Sequence, residues 1–213
     1  VLNPKAAVEG NVQSMQKALI ESANPGDTLK IYNEEFSDPE SLAMLNKAAA
    51  DGVNVQVTMT AGSPPSATKP ASTTWTGQVN LAKAGGVVHL YSNKAGVLYV
   101  HAKAIILVPK GSTVATKAYS GSTNLAGGSM DLNRELGVNF DVTTGDAAAL
   151  EVLNSTFDED FAQTKDVTVW DKSGQPLPPA SSEALPPTAT SAVPSTKSGQ
   201  FTVSDNAACG SVL

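Results

Sequence analysis

One cysteine, one arginine, two histidines and an aromatic share of 5% set the first limits on this 213-residue chain. Cys209 stands alone and cannot close an internal disulfide, which excludes a cysteine framework. A free thiol is the expectation, with a bridge to another chain as the alternative. Arg134 is the sole arginine, so positive charge is nearly all lysine, and the formal net charge is −6 with a pI near 4.8. Such a surface repels nucleic acid and anionic headgroups as a whole, which argues against a nonspecific nucleic-acid binder but leaves room for a local basic pocket. No apolar run approaches the roughly 20 residues that span a bilayer, so no transmembrane segment is expected and the protein reads as soluble or peripheral. No His, Cys and Asp cluster at metal-ligand spacing, and neither a metal nor a cofactor is expected. The chain begins at Val1 without a signal-peptide pattern, which reads as a processed or excised chain.

Against these absences stands a hydrophobic content of 41%, ordinary for a chain that buries a substantial core. Val12, Met15, Leu19, Ile20 and Ala23 recur at helical spacing, and Asn24-Pro25-Gly26 stops the pattern ahead of a strand at Thr28–Tyr32. Asp38 is placed to cap a second helix with Pro39 at its first position, and Gly52 ends that helix before a strand over 53–58. This strand–helix–strand unit favours a parallel pair with a right-handed crossover. A Pro/Ser/Thr-rich loop follows over 61–74, then a short helix over 79–84 and a strand at 87–91. Segments 98–108 and 114–120 flank a turn at Pro109-Lys110-Gly111 and read as antiparallel neighbours; 135–142 makes another strand, and 147–161 a long amphipathic helix. The fold class is therefore α/β: a mixed, largely parallel β-sheet with helices on both faces. Residues 1–172 form the expected domain, and 173–213 an extended Pro/Ser/Thr-rich C-terminal arm.

Three short segments carry chemistry. In extended backbone, His101 and Lys103 project to one side while Ala102 and Ala104 project to the other; Ser122 and Asn124 share this two-residue offset, as do Glu135 and Gly137. Three neighbouring strands would then aim a nucleophile or base, a phosphate-neutralising cation, hydrogen-bond donors and an orienting carboxylate into one pocket. His89, with apolar neighbours on both sides, reads as a hydrogen-bonded strand histidine. Glu34 and Glu35 follow the first strand, where ligands often meet parallel sheets; the pair reads as ordinary exposed acid, with a pocket-rim role as the alternative.

In this order, His101-x-Lys103, Gly121-Ser122-x-Asn124 and the Glu135 strand resemble the signature of the phospholipase D superfamily. The likeness runs from about Asn3 to Thr164 and takes in residues 48–55 and 157–161; it departs from the pattern where the signature's aspartate falls on Val108. The resemblance implies that His101 attacks phosphorus to form a phosphohistidine while Glu135 holds its other ring nitrogen. It further implies that Lys103 and Asn124, with Ser122, stabilise charge on the non-bridging oxygens. A single motif supplies one imidazole, whereas attack and leaving-group protonation need two on opposite sides of phosphorus. A homodimer, or pairing with a second motif-bearing half, is expected to provide the other. The leading expectation is a phospholipase D-type phosphodiesterase acting on phospholipid headgroups, in a secreted or extracytoplasmic setting. The alternatives are a metal-independent nuclease of the same superfamily, less favoured for want of cations, and a catalytically silent phosphate-binding module.

Overall fold

The computed structural model describes residues 12–92, 96–165, 167–172 and 176–177. Cys209, the start of the chain and nearly all of the C-terminal arm lie outside the described residues, which all belong to the first of two units, Val1–Ala180.

The first helix, α1 (Val12–Glu21), buries Val12, Leu19 and Ile20 and leads into β1 (Thr28–Tyr32). Helix α2 (Pro39–Ala50) starts as its cap residues dictate: the Asp38 carboxylate accepts the Ser41 backbone N–H at 2.8 Å, and Pro39 occupies the first turn, where its missing N–H is no loss. It is followed by β2 (Asn54–Thr60). Helix α3 (Thr73–Ala84) begins six residues earlier than expected because Ser72, inside the loop-like stretch, caps it by accepting the Trp75 N–H. Gly85, at φ +113°, ends α3 in a conformation that disfavours side chains, and β3 (Val87–Tyr91) follows. Then come β4 (Ala104–Val108), β5 (Lys117–Gly121), β6 (Gly137–Asp141), α4 (Ala147–Phe161), β7 (Val167–Trp170) and β8 (Pro176–Leu177). The sheet thus runs past residue 172 into the segment read as an arm.

The eight strands form one mixed sheet in the order β6-β5-β4-β1-β2-β3-β7-β8. Its parallel share is smaller than expected. Only β1–β2 and β2–β3 are parallel; β1–β4, β3–β7, β4–β5, β5–β6 and β7–β8 are antiparallel. The reason lies in the connections: a parallel neighbour needs a long crossover, and α2 and α3 provide the two central ones. Helices cover both faces, as expected. Along β1, Leu29 and Ile31 join the core with α1, α2 and α3, while Tyr32 joins the core with Leu150 and Phe157 of α4. Strand β4 divides the same way, with Ile105 and Leu107 on the first side and Ala104, Ile106 and Val108 on the second. Val108, in the signature's aspartate position, is therefore a buried core residue.

Polar anchors fix α4 to the sheet. The buried Lys30 ammonium donates to Asn154 at 2.8 Å and to Asp158 at 2.6 Å, and the Tyr32 hydroxyl donates to Asp160 at 2.5 Å. Burial and the Asp160 carboxylate push the Tyr32 phenol well above its ordinary range. Between these contacts Phe157 meets Tyr32 edge-on, with ring centres 5.0 Å apart.

Candidate active site

Register brings the site together. β1 and β4 run antiparallel with Tyr32 opposite Ala104, so the residues just past the end of β1 lie beside those just ahead of β4. Glu34 is thereby set against His101 and Lys103. On the other side of β4, Ala104 pairs with Ser120 and the Gly121 N–H donates to the Lys103 carbonyl at 3.1 Å, which delivers the 122–124 loop to the same end of the sheet. The expected segments therefore converge, but from strand ends: His101 and Lys103 precede β4, Ser122 and Asn124 follow β5, and Glu135 precedes β6. Ala102, placed by the extended reading on the side opposite His101 and Lys103, is exposed.

The centre of the site is Glu34. Its Oε2 lies 2.8 Å from Lys103 Nζ, 3.2 Å from Asn124 Nδ2 and 3.2 Å from His101 Nε2, and its Oε1 accepts the Tyr99 hydroxyl at 2.7 Å. The Glu34 side chain is 17% exposed and the Lys103 side chain 4%, whereas the imidazole of His101 is 73% exposed. Burial alone would raise the Glu34 carboxyl. The hydrogen bonds from Lys103, Tyr99 and Asn124, with the lysine's charge, outweigh it and hold the group at about 2. The same bond, aided by burial, raises the Tyr99 phenol to about 12. Glu34 is thus no ordinary exposed acid, although its neighbour Glu35 is exposed as expected. The position at the end of a central strand was the available signal. Tyr99, two residues ahead of His101, carried none.

Backbone contacts hold these groups in place. Asn124 Oδ1 accepts the N–H groups of both Glu34 and Glu35 at 3.3 Å, and Asn33 Oδ1 accepts those of Leu125 and Glu35 at 3.2 Å. The Val100 N–H donates to Thr60 Oγ1 at 2.9 Å, tying the His101 segment to the end of β2. Lys103 also donates to the His101 carbonyl at 2.7 Å, so the lysine steadies the backbone that carries the imidazole.

Glu135 does not reach the histidine. Its buried carboxylate accepts the Ser122 hydroxyl and the Asn133 amide, the latter at 3.3 Å, while Ser122 Oγ in turn accepts the Leu136 N–H at 3.1 Å. Glu135 sits ahead of β6, with β5 between it and β4, so the carboxylate facing His101 comes from β1 instead. Beneath this turn the Tyr119 ring lies over Gly137, where an added Cβ would sit 2.3 Å from the ring carbon Cε2. His89 stands apart from the site, stacked on Phe161 with ring centres 3.7 Å apart. Burial lowers its pKa, partly offset by a hydrogen bond with the Phe161 backbone, and its Nδ1 is unpartnered.

Two open clefts meet at this point. One, of about 450 Å³, runs past His101 toward α4 and is lined by Leu98, Val100, Ala104, Leu153 and Thr156. The other, of about 310 Å³, lies beyond Glu34 and Tyr99 against Thr60, Ser63, Ser72 and Thr74. One is largely apolar and the other largely polar, with the His101–Glu34 pair between them.

No curated protein matches the chain. Among solved structures it is similar to the phospholipase D family member Nuc from Salmonella typhimurium, with a TM-score of 0.57 at 16% identity over 80% of this chain and 98% of Nuc. It is also similar to polyphosphate kinase from Porphyromonas gingivalis, with a TM-score of 0.55 at 11% identity over 87% of this chain and 26% of the kinase. Phosphatidylserine synthase from Haemophilus influenzae Rd KW20 gives a TM-score of 0.50 at 15% identity over 79% of this chain and 39% of the synthase. These likenesses establish the fold alone. The family model described as "Cardiolipin synthase, PLD-like domain" matches residues 17–162, the stretch that runs from α1 through α4 and contains every side chain around Glu34; the chain belongs to the phospholipase D superfamily.

Proposed function

We propose that this chain is a phosphodiesterase of phospholipase D type that cleaves or exchanges phospholipid headgroups in an extracytoplasmic setting. The observation that carries the reading is the convergence of His101 Nε2, Lys103 Nζ and Asn124 Nδ2 on a single anionic oxygen, at 3.2, 2.8 and 3.2 Å. A non-bridging phosphoryl oxygen that takes that oxygen's place meets the Lys103 and Asn124 donors, with the His101 imidazole beside its phosphorus.

In this mechanism a ring nitrogen of His101 attacks phosphorus as the bond to the headgroup oxygen breaks, and that oxygen leaves as the alcohol with a proton from a second imidazole. Water, giving its proton to that imidazole, then attacks the phosphohistidine and breaks the N–P bond, releasing the phosphomonoester and restoring His101. Lys103 and Asn124 hold the non-bridging oxygens, and Ser122 lines the substrate side. Glu135 acts through Ser122, whose hydroxyl it accepts, and so positions the 122–124 loop. The second imidazole comes from another copy of this chain or from a separate motif-bearing half, because His89 is stacked against Phe161 away from the site.

Support for a lipid over a polynucleotide comes from the apolar cleft beside His101, whose Leu98 is 60% exposed, together with the net charge of −6. The test is choline release from phosphatidylcholine vesicles, with mass in solution measured in parallel. Release that is lost in His101→Ala, from a species of two chains or from a complex with a second half, is the expected result. No release from wild type overturns the lipid assignment, and plasmid nicking without added metal would transfer the chemistry to nucleic acid. Full activity at the mass of one chain would refute the need for a second imidazole.

A further inference from the structure

The groups assigned above to the phosphoryl oxygens are already engaged, by a carboxylate of the chain itself. Glu34 receives Lys103, Asn124 and Tyr99 and faces His101, and the ammonium of Lys103 has no second carboxylate among the described residues. With Glu34 in place the buried lysine's charge is balanced, so the pocket offers an incoming anion little net attraction. The carboxylate moves only within the reach of its own side chain, because its backbone is pinned: the N–H groups of Glu34 and Glu35 both end on Asn124 Oδ1, and Asn33 clamps Glu35 and Leu125.

We propose that Glu34 is a specificity-determining residue, a fixed negative charge that lets the site take singly charged phosphodiesters and turn away doubly charged phosphates; the inference rests on the phosphodiesterase reading. A ligand entering the donor cluster shares it with Glu34 or displaces the carboxylate by a few ångströms. In both cases the repulsion scales with the ligand's charge, so a dianion meets twice the opposition that a monoanion meets. With the ammonium already balanced by Glu34, each negative charge that a ligand brings stays uncompensated in the pocket, and a diester never carries more than one at its phosphorus. A phosphomonoester, whose second ionisation lies near pH 6, is mostly dianionic above neutrality. Hydrolysis converts the first kind of ligand into the second. The released monoester gains a charge beside Glu34, and the same carboxylate that admits the substrate helps to expel the product.

The experiment is titration calorimetry on the full chain at pH 8, with inorganic phosphate as the dianion and dimethyl phosphate as the monoanion, for wild type, Glu34→Gln and Glu34→Asp. Wild type is expected to bind dimethyl phosphate at least as tightly as inorganic phosphate. Glu34→Gln is expected to tighten inorganic phosphate about tenfold or more and dimethyl phosphate by no more than about threefold, the asymmetry following from the charge ratio. Glu34→Asp, which keeps the charge, should preserve the wild-type order. Equal tightening of both anions in Glu34→Gln would mean mere occupancy of space, and unchanged or weakened binding would mean a strut for Lys103; each overturns the proposal. Wild type alone is decisive if the glutamine variant does not fold, since inorganic phosphate bound more than about tenfold tighter than dimethyl phosphate contradicts the proposal directly. Binding of neither anion by any chain also overturns it. His101-dependent choline release reads the phosphodiesterase assignment separately, so release by an enzyme that prefers the dianion sinks this inference and leaves that reading standing.

Discussion

Replacing Glu34 by glutamine should remove a pH-dependent part of the protein's stability, and the size of the effect follows from the site. In the folded chain the carboxyl titrates at about 2, against an ordinary value of 4.5. A depressed pKa contributes stability that is fully present above the unfolded value and is lost as pH falls through the folded one, so the window here runs from about 4.5 down to about 2. Taken at face value the difference is worth about 3 kcal/mol. The pocket is open to water on two sides, and screening reduces this to about 1–2 kcal/mol. Glutamine resembles the protonated carboxyl, so wild type and Glu34→Gln should differ by that amount at pH 7 and converge near pH 2. Urea unfolding of both chains at pH 7, 5, 4 and 3 measures the difference. Other carboxylates held low, such as Asp27, Asp141 and Asp146, titrate in both chains and cancel. At pH 7 the gap should also appear as a Tm lower by about 3–6 °C in the variant. Parallel stability curves, offset by the same amount at every pH, would refute the reasoning, because a constant offset is a packing effect.

Two further substitutions probe the scaffold. Gly137→Ala places a methyl group 2.3 Å from the Tyr119 ring and should destabilise by about 1–3 kcal/mol in thermal or urea unfolding; a neutral result would mean that the ring and the β5–β6 turn shift freely. Phe157→Ala empties the fully buried position between Tyr32 and Phe161 and should lower stability by about 3–5 kcal/mol, whereas a loss below about 1 kcal/mol would show that α4 is not anchored there.

Much of this was legible because the signals are local. Asp38-Pro39 carries its own helix start, Asn24-Pro25-Gly26 its own stop, and the 147–161 periodicity matches α4 end to end. The Ser72 cap was hidden in a stretch rich in Pro, Ser and Thr, where composition argues for a loop and only docking of Trp75 and Leu81 into the core draws out the longer helix. The parallel content was overestimated for a different reason: adjacent strands in sequence suggest their own pairing, yet β1 lies between β2 and β4, and that choice is made across some 75 residues. Glu135 and Glu34 exchanged places for the same reason. Each carboxylate sits near a strand end, and only the strand order decides which one faces the imidazole.

By itself the sequence determined the chemistry on offer, namely one imidazole, one lysine two residues on, and an amide in a Gly-Ser-x-Asn turn, because side-chain type and short spacing are written along the chain. Which carboxylate shares their pocket was decided by tertiary structure. The antiparallel register of β1 against β4, Tyr32 opposite Ala104, brings Glu34 to within 3.2 Å of His101, and that register is the collective outcome of packing two cores on opposite faces of one sheet.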